Sequence, residues 1–310
     1  MLIMRKPVTT RDYMVTIAIG EKYLHLWRSH ASLGWLNYCK KYDLGLIVLT
    51  EDLIDNNNLS WKKATWQKLL IGNYILNKGI DVENIVYLDT DILVGPYAKN
   101  VFSIYEKESV GLVSKRKNLP FPLELILKKI AYNRHYYYSK KYPLDSALFI
   151  SLSDLYSYHG MDVMNDEACM GFIVFNKIHF DFMEKCFYKY PASVQSITNG
   201  GDQTHLNYEL QKYKNIQWYP YEYQAIWVYE MAANYSFLYK CDLGIDKSLV
   251  ASCIGDVLVR SNFLHFAGSW GESFMWTCFD DTYYGSGEIL SFEQYLGAES
   301  IGMPLGFVKG

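Results

Sequence analysis

The feature that most constrains this chain is a short apolar run that ends in two carboxylates. Ile85-Val-Tyr-Leu88 shows no alternation of polar and apolar residues, the pattern of a strand covered on both faces, as in sheets with helices on either side. Asp89-Thr-Asp91 follows directly, and Ile92-Leu-Val94 resumes the apolar run. In an open α/β sheet, ligands bind beyond the carboxyl ends of the strands, so the acidic pair is expected where a ligand sits. Two anions held together there call for a cation. A hard divalent ion, magnesium or manganese, takes oxygen ligands and bridges carboxylates to substrate phosphates. The competing reading is that the two Asp only cap the following turn.

The flanking sequence predicts the sheet. Met14 to Ile19 is β-rich and ends at Gly20, and Leu46-Ile-Val-Leu49 is a second buried-strand pattern, with a helix expected within residues 23–41. Ser60 is the expected N-cap of a helix carrying Trp66, Leu69, Leu70 and Tyr74, and Gly79 lies past its end. This β-α-β-α-β opening predicts a Rossmann-like, mostly parallel sheet flanked by helices. Further strands are expected at Phe172 to Phe175, Val257 to Val259 and Phe263 to Phe266. A helix is expected with Ile178, Phe182, Cys186 and Tyr190 on one face, and another is expected to start near Asp202 after a turn at Asn199-Gly-Gly201. No repeat or linker interrupts the 310 residues, so one domain is expected. About 1–114 would form its first part and about 115–310 its second.

Composition narrows the function. Lys plus Arg number 30 and Asp plus Glu 33, a net charge of −3, so no basic excess recommends nucleic acid as the main partner. Tyr is abundant: its 28 copies exceed the 15 Phe and 8 Trp together. A ring with a hydroxyl suits flat polar ligands such as sugars, although a compositional bias explains the count equally well. The 6 Cys are scattered with no C-x-x-C pair, which argues for reduced thiols and a cytoplasmic location rather than a disulfide scaffold. The apolar stretch after Arg5 and Lys6 is too short for a signal-peptide core, and no run is long enough to span a bilayer. Between about Lys115 and Asp166 the pattern loosens, and Lys128, Lys129, Arg134, Lys140 and Lys141 interleave with Tyr132, Tyr136, Tyr137, Tyr138 and Tyr142. That stretch suits an acceptor, an anionic lipid surface (a peripheral membrane contact) or single-stranded nucleic acid. A solvated excursion is the plainer reading.

Several blocks together resemble the GT-A glycosyltransferases, in particular the family 8 galactosyltransferases and glycogenin. Ile85-Val-Tyr-Leu-Asp-Thr-Asp-Ile-Leu-Val94 resembles their strand-plus-acid block. In the family's order come Ala18-Ile-Gly-Glu-Lys-Tyr23, Lys68-Leu-Leu-Ile-Gly-Asn-Tyr-Ile75, Gly171-Phe-Ile-Val-Phe-Asn176, Gly201-Asp-Gln-Thr-His-Leu-Asn207 and Leu264-His-Phe-Ala-Gly268. The resemblance implies a GT-A fold with an acceptor-binding subregion, a UDP-sugar donor, a glycan or glycoconjugate acceptor, and a bound Mn2+ or Mg2+. It implies Asp89, Asp91 and His265 as metal ligands, with Thr90 beside the donor. Tyr23 and the backbone near Thr16 and Ala18 would hold the base, Lys68 would contact the donor, and Asp202 and Gln203 would lie at the reacting centre. The chain departs from the family in two places. Cys169 stands where Asn is usual, and Gly268 is followed by Ser269 and Trp270 in place of Lys-Pro-Trp. The second departure leaves the diphosphate charge to another cation, for which Arg260 and Lys68 are the candidates.

Each residue also has a plainer role. Lys68 is by default an exposed helix cation, Asp202 an N-cap, Tyr23 a core residue and His265 a structural histidine. Gln203 and Asn207, four apart, share a helix face and suit a polar ligand. Asp166 and Glu167 form an alternative catalytic acid pair, whose plainer reading is a solvated loop. Two other functions remain open: a sugar-1-phosphate nucleotidyltransferase, which normally carries a Gly-rich basic loop where this chain has Ile19-Gly-Glu-Lys-Tyr23, and a non-catalytic carbohydrate-binding protein.

Overall fold

The computed structural model describes residues 1–138, 148–198, 201–240 and 246–279. Its strands are β1 Leu2–Arg5, β2 Asp12–Ile17, β3 Gly45–Leu49, β4 Asn84–Leu88, β5 Ile92–Val94, β6 Ser109–Val113, β7 Phe172–Asn176, β8 Asn215–Tyr219, β9 Ala225–Ile226 and β10 Phe263–His265. Seven form one sheet in the order β1-β3-β2-β4-β7-β6-β8. β3, β2 and β4 are parallel, β7 runs antiparallel to β4 and to β6, and β8 runs parallel to β6. Within this sheet β1 and β7 therefore run against the rest, and the mostly parallel expectation holds for strand direction. A second sheet of three strands, β5-β10-β9, lies directly after β4 in the chain through β5.

Alternation along the strands explains why they read as wholly apolar. Met14, Val86, Leu88, Phe172 and Val174 face one core layer, which includes Trp27 and Trp35. Tyr13, Val15, Ile85, Tyr87, Ile173 and Phe175 face the other, with Trp66 and Phe180. Both faces are covered, so apolar residues dominate the central strands, and the polar Thr16 and Asn176 are buried among them.

The helices correct four expectations. Residues 23–41 hold two helices, Glu21–His30 and Ser32–Lys41, broken at Ala31 (φ −130°); the break lets Trp27 and Trp35 pack edge to face at 5.7 Å. Ser60 is not an N-cap, because its amide donates to Asn58 Oδ1 and the helix begins at Ala64. Lys62 in the intervening chain is buried, its Nζ donating to the carbonyls of Ser60 and Tyr190. Val257 to Val259 belongs to helix Lys247–Arg260: Val250, Ile254, Val257 and Leu258 are buried at helical spacing while Val259 is exposed, and tertiary packing overrides the β-branched preference. Helix Phe180–Lys189 buries Phe180, Met183, Cys186 and Phe187, and Ile178 is exposed. Asn176 caps a preceding 3-10 turn by accepting from the Ile178 amide, which shifts the phase of the helix.

The stretch from 115 is more regular than expected. Helix Leu123–Asn133 is followed at Ser151 by an N-cap that accepts from Asp154 N and starts helix Leu152–Tyr158. Tyr132 and Tyr136 stack on the surface at 5.8 Å. Lys140, Lys141 and Tyr142, the Asn199-Gly200 turn and Cys241 lie outside the described residues. The other five Cys are free. Among the described residues no helix is long and apolar enough to cross a membrane.

Candidate metal centre and cleft

Two strand registers build the acidic site. β7 pairs with β4 so that Leu88 faces Phe172, and one step further the Asp89 amide donates to Gly171 O at 2.9 Å. β10 pairs with β5 so that His265 faces Ile92, and the Phe266 amide donates to Asp91 O at 3.1 Å. His265, distant in sequence, is thereby delivered to the acids that follow β4. Its Nε2 lies 3.3 Å from Asp91 Oδ1 and 3.8 Å from Asp89 Oδ2. One ligand atom from each of Asp89, Asp91 and His265 fits within 4.8 Å of the others.

The donor set suits a hard divalent ion, with two carboxylates and one imidazole nitrogen. The carboxylates are partly open to the cleft, whereas His265 is buried. Tyr87 OH donates to Asp89 Oδ1 at 2.6 Å and orients it. Burial opposes charge on His265, but Cys169 and Asp91 beside it outweigh burial and hold its pKa well above the usual value. The simple turn-capping reading of the acids does not account for this convergence of three elements.

Gly171 is required by close approach. A Cβ there would lie 2.3 Å from His265 Cε1 and 2.7 Å from Asp89 Oδ2. Replacing Gly171 with Ala is therefore expected to push Asp89 and His265, the two candidate ligands, apart. Overpacking of this kind costs about 1–3 kcal/mol of stability, with a loss of manganese affinity greater than the change in fold stability accounts for. Calorimetric titration and thermal melts check both, and unchanged manganese affinity would contradict the contact.

The acids line a cleft of ≈450 Å³ together with Ile17, Ile19, Lys22, Tyr23, Lys63 and Trp276, among others. Tyr23 is 57% exposed, so it is not a core residue. It sits in the first turn of helix Glu21–His30, which Gly20 starts at φ +92°, a conformation that favours glycine. Thr90 also lines the cleft. Thr16 lies in the β2–β3 ladder opposite Val48 and is fully buried. The Ala18 amide donates to Leu49 O at 2.8 Å, so Ile17 and Ile19 form the wall at that level.

Lys68 is not an exposed cation. It lies in a 3-10 turn, Lys68–Leu70, with its Nζ donating to Met170 O at 2.7 Å and lying 3.3 Å from Asp202 Oδ2, both side chains buried. Burial disfavours its charge, but Asp202 and Asp89 outweigh that and raise its pKa. Burial likewise pushes the Asp202 carboxyl up, against the pull of Lys68. Asp202 precedes helix Gln203–Tyr213 yet makes no side-chain cap bond; its carboxylate turns to Lys68 instead. Gln203 Nε2 donates to Glu167 Oε1 at 2.7 Å. Asn207 is structural: it accepts from Ala168 N and donates to Ala168 O.

Asp166 and Glu167 are both buried, which overturns the solvated-loop reading. Glu167 is held by Lys115 Nζ at 2.6 Å and Arg116 Nε at 2.9 Å, and Asp166 accepts from Ser114 at 2.8 Å. Arg260 is also placed differently from expectation. It pairs with Glu230 at 2.7 Å and lines other pockets. Among the described residues the basic ones on the cleft are Lys22 and Lys63, of which Lys22 lies inside the Ala18–Tyr23 block and carried a readable signal. Gly171 opens the Gly171–Asn176 block but its contact with the site was not readable, and Gln224, whose Nε2 lies 2.9 Å from His265 Nδ1, had no signal that sequence alone exposes.

No family model and no curated protein matches the sequence. Among solved structures, the fold is similar to a glycosyltransferase involved in the glycosylation of the major capsid of PBCV-1, with a TM-score of 0.46 and 7% identity over 86% of this chain and 97% of that one. It is also similar to the galactosyltransferase LgtC in complex with donor and acceptor sugar analogs, with a TM-score of 0.43 and 13% identity over 86% and 94%. A third similar structure is the bifunctional glycosyltransferase WbbM, with a TM-score of 0.43 and 11% identity over 86% of this chain and 47% of that one.

Proposed function

We propose that this chain is a metal-dependent GT-A glycosyltransferase, transferring a sugar from a UDP-sugar to a carbohydrate or glycoconjugate hydroxyl. The observation that carries the reading is the convergence of Asp89, Asp91 and His265 on one edge of a cleft that also exposes Tyr23. Asp89, Asp91 and His265 hold the cation, manganese or magnesium, which when bound supplies Lewis acidity to the departing diphosphate. The Tyr23 ring offers a stacking face to the base. Lys22 and Lys63 offset phosphate charge at the cleft wall, in the role for which the sequence offered Arg260 and Lys68. Lys68 and Asp202 form a buried pair electrostatically coupled to Asp89. Gln203, its amide nitrogen tied to Glu167, presents its carbonyl oxygen to positive charge growing at the anomeric carbon. Glu167 already neutralises Lys115 and Arg116, which disfavours it as a general base.

The test is a thermal-shift series with UDP, manganese and both. At a ligand concentration about a hundred times Kd, binding stabilises by about 2.7 kcal/mol, so a clear rise in Tm is expected that needs both components. No response to either would remove the reading, and pyrophosphate release in a turnover assay would favour the nucleotidyltransferase. The metal-dependent shift is also expected to shrink at lower pH. His265 holds its proton more tightly than an ordinary histidine, and the ion must displace that proton, so affinity falls by up to about tenfold per pH unit below the His265 pKa. A flat profile would contradict a histidine ligand.

A further inference from the structure

Gln224 lies outside every block that resembles a known family, and nothing in the sequence marks it. It is fully buried and immediately precedes β9, whose parallel register sets Ala225 against Leu264 and Ile226 against His265. Its amide N–H donates to Tyr221 O at 3.0 Å, so backbone pairing on both sides carries the side chain to the back of the histidine ring. There Gln224 Nε2 lies 2.9 Å from His265 Nδ1, and Gln224 Oε1 is buried with no hydrogen-bond partner. The other polar atom against Nδ1 is Cys169 Sγ at 3.5 Å, and a thiol is a weak partner.

The two ends of a glutamine amide exchange places by a half-turn about its last bond. With nitrogen toward Nδ1, Gln224 donates to the ring, and the ring proton sits on Nε2, facing Asp91 at 3.3 Å. With oxygen toward Nδ1, Gln224 accepts from Nδ1–H, and Nε2 offers its lone pair between the two carboxylates. A histidine that ligates a metal through Nε2 needs the second arrangement, because an acceptor on Nδ1 fixes both tautomer and ring orientation. The orphaned Oε1 is the atom that would supply it.

We propose that Gln224 is the positioning residue of the cation site: its amide oxygen accepts from His265 Nδ1–H and so holds Nε2 toward Asp89 and Asp91 for a divalent cation. This rests on the metal-dependent reading of Asp89, Asp91 and His265. The probe is manganese itself, titrated into the full chain with UDP present and followed by the electron paramagnetic resonance signal of the free ion. Gln224→Met keeps the length and removes the acceptor, and an outer-shell loss of this kind is expected to weaken manganese binding about 10- to 100-fold. Gln224→Glu keeps an acceptor oxygen and is expected to bind manganese at least as tightly as the parent.

Equal affinity in Gln224→Met and the parent would overturn the proposal. So would equal weakening in Gln224→Glu and Gln224→Met, which would mark a packing effect. A parent chain that binds no manganese would instead sink the metal reading beneath it. Should the Met variant not fold, nitrogen-15 spectra of the parent loaded with magnesium decide the matter. With Nε2 on the metal, a downfield-shifted, solvent-protected His265 Nδ1 proton hydrogen-bonded to the Gln224 amide supports the role, and an Nδ1 proton without that bond excludes it.

Discussion

Asp91→Asn is expected to lower metal-dependent transfer and donor hydrolysis about a thousandfold, the kinetic equivalent of about 4 kcal/mol of lost transition-state stabilisation. The substitution keeps the size of the side chain and one oxygen, so the backbone bond from Phe266 N to Asp91 O and the β5–β10 register should survive. What is lost is one of the two negative charges that hold the cation, together with the anionic partner of His265 Nε2. Asp91 is partly exposed and lies at the cleft edge, and Asp89 Oδ2 remains 3.8 Å from His265 Nε2 to offset the buried ring. The variant should therefore melt within a few degrees of the parent. Donor hydrolysis measured across a manganese series checks the expectation. Undiminished activity at all manganese concentrations would remove Asp91 from the metal site, and a collapsed melting curve would mean that the loss reports folding instead.

Lys68→Met carries the largest expected effect on stability. Lys68 and Asp202 are both buried, and removing one partner of such a pair leaves an uncompensated charge at a cost of about 3–5 kcal/mol. The Asp202 carboxyl is already pushed up by burial, with Lys68 as the largest opposing influence. Without Lys68 it should rise further and take up a proton more readily. A folded-state pKa above the unfolded value stabilises fully below the unfolded pKa, and that contribution is lost as pH rises through the folded value. The variant should therefore be closest to the parent at acid pH and weakest near neutrality. The double variant Lys68→Met/Asp202→Leu should recover much of the loss, because neither charge then remains buried. Denaturant melts of both variants at several pH values measure this. Equal stability of Lys68→Met and the parent would mean that the pair is relaxed by water rather than dry.

These two residues also show how far local sequence reaches. Asp91 was legible because it follows an apolar strand, and the rule that ligands bind beyond strand ends needs only local sequence. Lys68 was legible as a resemblance but not as a buried ion pair, since its partner Asp202 lies more than a hundred residues away. Helix signals fared unevenly for the same reason. Gly79, with φ +77°, marks a helix end whatever surrounds it, whereas Ser60 loses its cap role to the packing of Lys62. Val257 to Val259 has β-branched chemistry but the burial of a helix, and only the partner surface decides which prevails. Asp166 and Glu167 look like a solvated turn in sequence, yet Ser114, Lys115 and Arg116 reach them across an isolated bridge between Ser114 and Ala168.

By itself the sequence determined the three apolar strands β2, β3 and β4 and the place of the acidic pair, because hydrophobic period and glycine punctuation act locally, whereas β1 and the split of residues 23–41 into two helices were not readable. It also determined that three candidate ligands exist. Only the tertiary structure decided that His265 meets Asp89 and Asp91, that Gly171 makes room for them, that Lys22 and Lys63 rather than Arg260 line the cleft, and that Gln224 backs the ring. Each of those depends on which strands pair and in what register, a property of the whole chain's packing rather than of any stretch of it.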